Sequence, residues 1–269
     1  MNKKLLVLVV TLLVILTACQ GKDNKEMGKN DEKKELVVFA AASMTETLEK
    51  IKTLYEEEHP EIELIYTFDS SGTLKTQIDE GATCDVFISA ALKQMNAIDP
   101  KESKEEISNP IDSESRINLL ENKVVLVVPN GNVKSIKNFE DLNTDTVSSI
   151  ALGNSDVPVG QYSEEILTNL GIWNEIQNKI TFGSNVKEVT TWISEKAVDC
   201  GIIYKTDAFS AGLEVVDEAE EGEINTPVIY PAAILQNSKN AKEAKEFLEY
   251  LKSDSAKEIF ESVGFAVVE

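Results

Sequence analysis

Two serine-containing segments and one glycine-containing segment stand where strand-like runs give way to helix-like patterns. In the first, Ser43 follows the apolar residues 36–39, and Glu46 comes three residues later. This spacing is a capping-box pattern, so we expect Ser43 to cap the next helix. A helix that begins where a strand ends presents unpaired N–H groups and a positive dipole end, which together favour an anion. The serine hydroxyl can accept from the backbone and still donate to a ligand.

The other two segments have the same placement. Residues 70–72 (Ser-Ser-Gly) follow the strand-like residues 62–68, and the glycine would let the backbone approach a bound group closely. Residues 156–162 contain Gly160 and precede a helix that we expect to begin near Ser163. Each pattern alone is also typical of ordinary caps and turns. Anion binding would require the three segments to meet in the folded chain.

Strands and helices alternate along the part of the chain that must position these segments. Strands are predicted near residues 36–39, 62–68, 85–90, 124–128, 150–152, 201–204 and 229–235. Helices are predicted near residues 48–55, 74–78, 163–170 and 186–197, with two more within 239–263. This alternation indicates an α/β fold with mainly parallel sheets flanked by helices.

The length of the chain predicts two lobes. The roughly 230 residues after position 35 exceed what one sheet usually holds, since a domain typically has about 100–200 residues. The pattern suggests that the chain leaves the first lobe before Val124 and returns to it near Tyr230. We therefore expect one lobe from residues 36–120 and 231–269, and a second from residues 121–230.

The N-terminal residues are typical of an exported lipoprotein. Two lysines precede an apolar run over residues 5–18, which is shorter than the roughly 20 residues that span a bilayer. The run ends in Leu-Thr-Ala-Cys, which resembles the lipobox of bacterial lipoproteins. That resemblance implies a signal peptide over residues 1–18 and lipidation of Cys19; a buried N-terminal helix is the alternative. Residues 19–35 are almost entirely polar and predict a flexible tether.

Composition excludes several classes of function. The chain has 269 residues, a formal net charge of −21 and one histidine, His59. So acidic a chain repels phosphate backbones and anionic lipid headgroups, which disfavours nucleic-acid and polybasic membrane binding. A single histidine disfavours multi-histidine metal sites. Cys84 and Cys200 could form a disulfide in an exported protein or remain as buried thiols, and the sequence does not decide between them.

Six motifs occur in an order and spacing that resemble the molybdate-binding proteins of ABC transporters, across residues 36 to 268. They read VFAAASMTETL, FDSSGTLKTQI, CDVFISAA, DVPVGQY, GSNVKEV and CGIIYKTDA. The resemblance implies a two-lobed type II periplasmic-binding-protein fold joined by a hinge. It also implies that the lobes close around a tetrahedral oxyanion, molybdate or tungstate, with no other cofactor and no directly bound metal ion.

The resemblance also assigns candidate ligand-binding residues. It implies that hydroxyls of Ser43, Ser71 and Tyr204 donate to the oxyanion, together with the backbone N–H groups of Val159 and Val186. None of these residues is basic, and several hydrogen bonds and helix N-termini can hold a buried dianion without a counter-charge. Gly72 and Asp69 depart from many relatives, which have serine and a small residue there. An inward-facing Asp69 carboxylate would repel an oxyanion.

The family resemblance and the predicted anchor imply partners and a location. We expect an ABC permease and its ATPase as partners, and a monomer lipid-anchored on the outer face of the cytoplasmic membrane. The closest alternative is the same fold binding sulfate, phosphate or an organic carboxylate, although carboxylate receptors usually recruit arginine.

Two further hypotheses about function remain open. An enzyme with Ser43 or Ser71 as nucleophile would need a base, and His59 or Lys75 would be the candidates. A lipoprotein that only presents a surface could use the acidic residues 217–223, which otherwise predict a solvated loop. We expect no enzymatic turnover.

Overall fold

In the computed structural model, residues 33–268 are described, and their strands form two separate sheets. The first sheet contains β1 (Lys34–Ala41), β2 (Ile62–Asp69), β3 (Val86–Ile88), β4 (Ile117–Glu121), β10 (Ile229–Ile234) and β11 (Ala266–Val267). The second sheet contains β5 (Val124–Val128), β6 (Ile150–Gly153), β7 (Ile180–Gly183), β8 (Cys200–Tyr204) and β9 (Glu214–Glu218). The two-lobed α/β fold expected from the sequence is confirmed.

Helices pack on both sheets. The first sheet is accompanied by α1 (Thr45–Glu58), α2 (Ser71–Asp79), α3 (Leu92–Ala97), α7 (Ala241–Tyr250) and α8 (Asp254–Glu261). The second sheet is accompanied by α4 (Pro158–Asn169), α5 (Val186–Ser194) and α6 (Lys205–Ala211). Their apolar faces and the strands enclose the core; β5 and β8 are buried along their whole length. Among residues 33–268, no helix is both long and apolar enough to cross a membrane.

Each sheet combines parallel and antiparallel pairs, whereas the sequence predicted mainly parallel sheets. The spatial order is β11-β4-β10-β3-β1-β2 in the first sheet and β7-β6-β8-β5-β9 in the second. The sets β2-β1-β3 and β7-β6-β8 are parallel, and the remaining neighbours pair in antiparallel fashion. Tyr204 ends a strand of these parallel sets, and the other four candidate site residues lie in the turn or helix that directly follows such a strand.

The two crossings of the chain explain the antiparallel strands. The chain passes from β4 to β5 through Asn122 and Lys123, and from β9 to β10 through residues 219–228. A strand that arrives directly from the other sheet begins at the edge where the parallel strands end. It must therefore run in the opposite direction, as β5 does beside β8 and β10 does beside β3.

Two sequence expectations differ from the described elements, and one open question is answered. The predicted tether reaches residue 35, but β1 begins at Lys34, because Lys34 and Glu35 pair in register with Ile62 and Glu63 of β2. The acidic residues 217–223 were expected in a loop, but the first two belong to β9. Cys84 and Cys200 are both buried free thiols. The predicted signal peptide and Cys19 lie outside the described residues.

Acidic side chains in β9 have specific partners, which explains why an acidic segment forms a strand. Asp217 accepts a hydrogen bond from the Phe139 N–H at 3.0 Å. Glu218 forms ion pairs with Lys123 and with Lys205, the latter at 2.7 Å. These partners come from distant parts of the chain, so the local sequence pattern did not reveal them.

Candidate functional site

A small cavity lies where the parallel strands of both sheets end. Ligands of open α/β sheets usually bind at this carboxyl edge. The cavity volume is about 10 Å³, close to the room that a single water molecule needs. From the first sheet it is lined by Ala41, Ala42, Ser43, Asp69, Ser70, Ser71 and Ala90, and from the second by Val157, Pro158, Val186 and Tyr204. Four of the five candidate residues therefore line one cavity.

Ser43 lies in this cavity wall but does not cap α1, contrary to the sequence prediction. It belongs to a 3-10 turn, Ala42–Met44, and α1 begins at Thr45 without a side-chain cap. The Ser43 Oγ instead lies 2.9 Å from the Tyr230 hydroxyl. The capping-box pattern was misleading because the chain makes an additional tight turn before the α-helix. The hydroxyl is thereby available at the cavity rather than used by the helix backbone.

Ser71 is the first residue of α2 and is fully buried. Its neighbour Ser70 is the N-cap and accepts from the Thr73 N–H at 3.1 Å, so capping does not occupy Ser71. The Ser71 Oγ accepts a hydrogen bond from the Ala90 N–H at 2.9 Å. Because the oxygen already accepts, the hydroxyl proton remains for another group.

Asp69 is the one carboxylate in the cavity wall, and both of its observed donors act on the same oxygen. The Oδ1 atom accepts from the Ser70 N–H at 2.7 Å and from the Asn185 side-chain amide at 3.4 Å. Asn185 belongs to the opposite lobe. The carboxylate is therefore engaged by an amide across the cleft.

The beginning of α4 forms part of the second wall. The sequence predicted a helix from about Ser163, but α4 begins at Pro158, because proline is favoured at the first helical position. Val157 and Pro158 line the cavity, whereas the Val159 side chain is fully buried beside it. Val159 was expected to act only through its N–H. Because Val159 is the second residue of the helix, its N–H has no acceptor within the helix.

Val186 and Tyr204 complete the second wall. Val186 is the first residue of α5, so its N–H has no acceptor within the helix. The N-cap Asn185 accepts from the Glu188 N–H at 3.1 Å and does not engage the Val186 N–H. Tyr204 ends β8, and its hydroxyl donates to the Ala90 carbonyl at 3.3 Å. Burial raises the pKa of Tyr204 well above its ordinary value, so the phenol keeps its proton. Because this hydrogen bond is long, an anion could compete with the Ala90 carbonyl for the Tyr204 proton.

Several contacts join the two walls. The Gly72 N–H donates to the Asp156 carbonyl at 3.1 Å, and a Cβ atom at Gly72 would lie 2.3 Å from that oxygen. Lys187 of α5 forms an ion pair with Glu46 of α1 at 2.6 Å. These contacts correspond to a closed arrangement, in which the lobes touch around the cavity.

Lys187 also faces a buried carboxylate within its own lobe. Its Nζ lies 2.9 Å from Asp207 Oδ1. Burial raises the pKa of Asp207 to about 6, against the opposing effect of Lys187. Burial lowers the pKa of Lys187, but Asp207 and Glu46 outweigh that effect and raise it above its ordinary value. Lys187 therefore remains a cation, and its charge is directed at these two carboxylates rather than at the cavity.

Sequence reasoning missed two residues that contact the cavity wall, Asn185 through Asp69 and Tyr230 through Ser43. It also missed Lys187, which pairs with Glu46 of the opposite lobe, and Asn122, which contacts Tyr230. A signal existed for Asn185, since asparagine three residues before Glu188 is a helix-start pattern. The other three gave no local signal. Their partners are far away in the sequence.

The groups considered for catalysis lie elsewhere. His59 follows α1, where its ring stacks on Tyr55 with centroids 4.4 Å apart. Lys75 pairs with Asp79 at 2.5 Å. Neither residue lines the cavity.

A family model for bacterial extracellular solute-binding proteins matches residues 36–266. The chain belongs to this family. The solute-binding protein is also similar over 98% of its length to a Bacillus subtilis protein, at 36% identity over 99% of that protein. That relative is provisionally named as the ABC transporter substrate-binding lipoprotein YvgL.

Two further comparisons concern proteins named for molybdate. The molybdate-binding protein ModA of Haemophilus influenzae is 32% identical, with 86% of this chain and 90% of ModA aligned. The solved structure of the periplasmic molybdate-binding protein of Azotobacter vinelandii has a TM-score of 0.75 and 22% identity, and covers 87% of this chain and 100% of that one. The structural likeness supports the fold of this solute-binding protein.

Proposed function

We propose that this solute-binding protein captures molybdate, and also tungstate, between its two lobes and delivers the anion to an ABC permease with its ATPase. The observation that carries the proposal is the convergence of Ser43, Ser71, Val186 and Tyr204 on one cavity, with Val159 beside it. The relative named ModA supports molybdate as the anion.

The donor set suits a fully ionised oxyanion. We propose hydrogen bonds from three hydroxyls, on Ser43, Ser71 and Tyr204, and from the N–H groups of Val159 and Val186. No lysine, arginine or histidine is among the residues that line the cavity. Hydrogen bonds from neutral donors and helix N-termini can stabilise a buried dianion, and they strengthen when the closed lobes exclude water. Selection among anions would then depend on size and shape.

A thermal-shift titration with molybdate, tungstate, sulfate and phosphate tests this function. Ligand at about 100 times its dissociation constant adds about 2.7 kcal/mol to the free energy of unfolding, which is readily measured. We expect stabilisation by molybdate and tungstate alone. Stabilisation by sulfate or phosphate instead would retain the fold and change the substrate. No response to any of the four anions would contradict oxyanion binding.

Ser71→Ala tests the site directly. We expect about tenfold to hundredfold weaker molybdate binding in calorimetry, because a hydrogen bond to a charged group contributes about 1.5–3 kcal/mol. Ser163→Ala is the matched control. Ser163 is also fully buried, but its hydroxyl donates to the Val159 carbonyl within α4 and it does not line the cavity. Equal losses in the two variants would contradict a ligand role for Ser71.

The two crossings of the chain are proposed as the hinge. We propose lobes of residues 36–120 with 231–269, and of residues 121–230, that move apart when the anion leaves. Small-angle scattering with and without molybdate should show a smaller radius of gyration in the bound protein. Identical scattering profiles with saturating molybdate and without it would contradict hinge closure.

The membrane anchor is a separate proposal. We propose that Cys19 is lipidated and holds the protein on the outer face of the cytoplasmic membrane, a proposal supported by a relative named as a lipoprotein. Mass spectrometry of the membrane-extracted protein should find acyl chains on Cys19. A Cys19→Ala variant should be released into the soluble fraction. An unmodified N-terminus in the membrane fraction would contradict the anchor.

We propose that binding involves no chemical turnover and that the protein acts as a monomer. Neither His59 nor Lys75 lines the cavity, and the Asp69 carboxylate there accepts from the Ser70 N–H and the Asn185 amide. Activated esters should therefore be hydrolysed no faster by the protein than by its Ser43→Ala or Ser71→Ala variant. A serine-dependent rate would contradict this expectation.

A further inference from the structure

Ser43 belongs to a buried chain of polar side chains that leads away from the cavity. The Ser43 Oγ lies 2.9 Å from the Tyr230 hydroxyl, which lies 3.2 Å from the Asn122 side-chain amide nitrogen. The same nitrogen lies 2.9 Å from the Thr206 Oγ1. All four residues are buried, with at most 6% of any of them exposed. The chain is therefore shielded from water, and its hydrogen bonds are made within the protein.

This network of polar side chains links the two segments where the polypeptide crosses between the sheets. Asn122 lies in the first crossing, and Tyr230 is the second residue of β10, directly after the second crossing. Thr206 belongs to α6 of the second lobe, whereas Ser43 belongs to the first. The network thus connects a cavity hydroxyl to the proposed hinge.

The direction of hydrogen bonding can be assigned from Asn122. Its Oδ1 accepts from the Lys123 N–H at 2.8 Å, which fixes the amide so that its NH₂ group faces Tyr230 and Thr206. An amide nitrogen can only donate. The Tyr230 oxygen is therefore an acceptor from Asn122.

The Tyr230 proton must then be directed to Ser43. Burial raises the pKa of Tyr230 well above its ordinary value, so the phenol keeps its proton. Among the described residues, Asn122 and Ser43 are the two side chains within hydrogen-bond distance of this phenol oxygen, and of these two only Ser43 can accept. The Tyr204 hydroxyl is a more distant neighbour and donates to the Ala90 carbonyl. If Ser43 donated instead, the Tyr230 proton would be left buried without an acceptor, which is costly.

We infer that Tyr230 and Asn122 are positioning residues that set the direction of the Ser43 hydroxyl, so that its proton faces the cavity as a donor to the bound anion. This inference rests on the proposed function. A fully ionised oxyanion has no proton to donate, so the hydrogen bond between Ser43 and the anion must use the Ser43 proton.

Ser71 supports the same arrangement on independent geometry. Its oxygen accepts from the Ala90 N–H at 2.9 Å, and this backbone donor plays the part that Tyr230 plays for Ser43. Each serine oxygen in the first wall therefore accepts one hydrogen bond, which restricts the direction of its hydroxyl. A preorganised donor avoids the cost of ordering a freely rotating hydroxyl when the anion binds.

A double-mutant cycle with Tyr230→Phe and Ser43→Ala tests the inference by calorimetric titration with molybdate. We expect Tyr230→Phe to weaken binding about tenfold in the otherwise unchanged protein, a typical effect of one hydrogen bond. In the Ser43→Ala background we expect the same change to have less than a twofold effect, because the hydroxyl that Tyr230 orients is gone. This lack of additivity distinguishes positioning from a structural role.

Tyr55→Phe is the matched control. Tyr55 is fully buried like Tyr230, packs against Phe247 and Tyr250, and its hydroxyl has no hydrogen-bond partner among residues 33–268. We expect the molybdate affinity of the Tyr55→Phe variant to remain within twofold of that of the unsubstituted protein. Asn122→Leu is a second test at the far end of the chain. It should weaken binding about threefold, and this loss should disappear when Tyr230→Phe is also present.

The outcomes separate this inference from the proposed function. If Tyr230→Phe lowered the molybdate affinity equally with and without the Ser43 hydroxyl, the inference would be overturned, but the proposed function of molybdate binding would stand. Unchanged affinity in both Tyr230→Phe and Asn122→Leu would also overturn it. Failure of the unsubstituted protein to bind molybdate would overturn the proposed function, and the inference with it.

Discussion

The two walls of the cavity are built on different principles. The first wall presents the hydroxyls of Ser43 and Ser71, each held by a donor to its oxygen. The second presents the beginnings of α4 and α5, where backbone N–H groups are the expected donors, together with Tyr204. Binding should therefore depend on side-chain identity in the first wall. In the second wall it should depend mainly on backbone conformation.

The contact between the walls should be the most sensitive point. Gly72→Ala adds a Cβ atom that would lie 2.3 Å from the Asp156 carbonyl oxygen in the closed arrangement. Overpacking of this kind costs about 1–3 kcal/mol, so we expect molybdate to bind about tenfold to a hundredfold more weakly. Calorimetry measures the loss.

Melting temperatures provide the control for Gly72→Ala. The ligand-free variant should melt within a few degrees of the unsubstituted protein, because the clash arises only when the lobes close. Unchanged molybdate affinity would show that the cleft opens enough at Gly72 to accept a side chain. Closure would then not depend on this backbone contact.

Val186→Pro tests the backbone donor of the second wall. Proline removes the N–H but is tolerated at the first position of a helix, and Asn185 is already extended, with φ −155° and ψ 170°. We expect about tenfold weaker molybdate binding, because one hydrogen bond to a charged ligand is lost. Circular dichroism should show unchanged helix content. A variant with unchanged affinity would exclude Val186 as a donor.

The difference between the walls also explains what the sequence could reveal. The strand-to-helix segments were predictable, because alternation and short polar motifs are local patterns. The parallel sets of strands bring those segments to one edge, as expected for an α/β fold. The start of α4 was misjudged although Pro158 was a usable signal.

Tertiary partners account for what the sequence did not reveal. Ser43 has the spacing of a helix cap, but its partner Tyr230 is 187 residues away. The acidic β9 depends on Lys123, Lys205 and the Phe139 N–H, which the local pattern does not show. The antiparallel pairs follow from the two crossings between the lobes. A local pattern cannot show where a chain changes sheet.

Glu46→Gln should have a smaller effect than the changes above. Glu46 of the first lobe and Lys187 of the second form an ion pair at 2.6 Å, which the proposed closure of the lobes would bring together. Partly exposed ion pairs contribute about 0.2–1 kcal/mol, so we expect molybdate binding to weaken about threefold at low salt. The difference from the unsubstituted protein should shrink at 1 M salt, where screening is strong.

Two features make this experiment specific. Lys187 retains Asp207 as a partner in the variant, so the cation is not left unpaired. Lys242 and Glu246 form an exposed pair within α7, far from the cleft contacts in the sequence, and Glu246→Gln is the matched control. A loss of affinity that is the same at low and high salt would argue against an electrostatic contribution of Glu46 to closure.

Val159→Ala should have the smallest effect on binding, although the residue lies at the site. The Val159 side chain is fully buried and does not line the cavity, and alanine keeps the N–H that we expect to donate. Molybdate affinity should therefore stay within twofold, while the free energy of unfolding falls by about 1–2 kcal/mol through lost packing. Calorimetry and urea denaturation measure the two quantities separately. Ser71→Ala should show the reverse balance, with a large loss of affinity and a small loss of stability. If Val159→Ala instead weakened binding as much as Ser71→Ala does, side-chain shape would control both walls, and the distinction between them would fail.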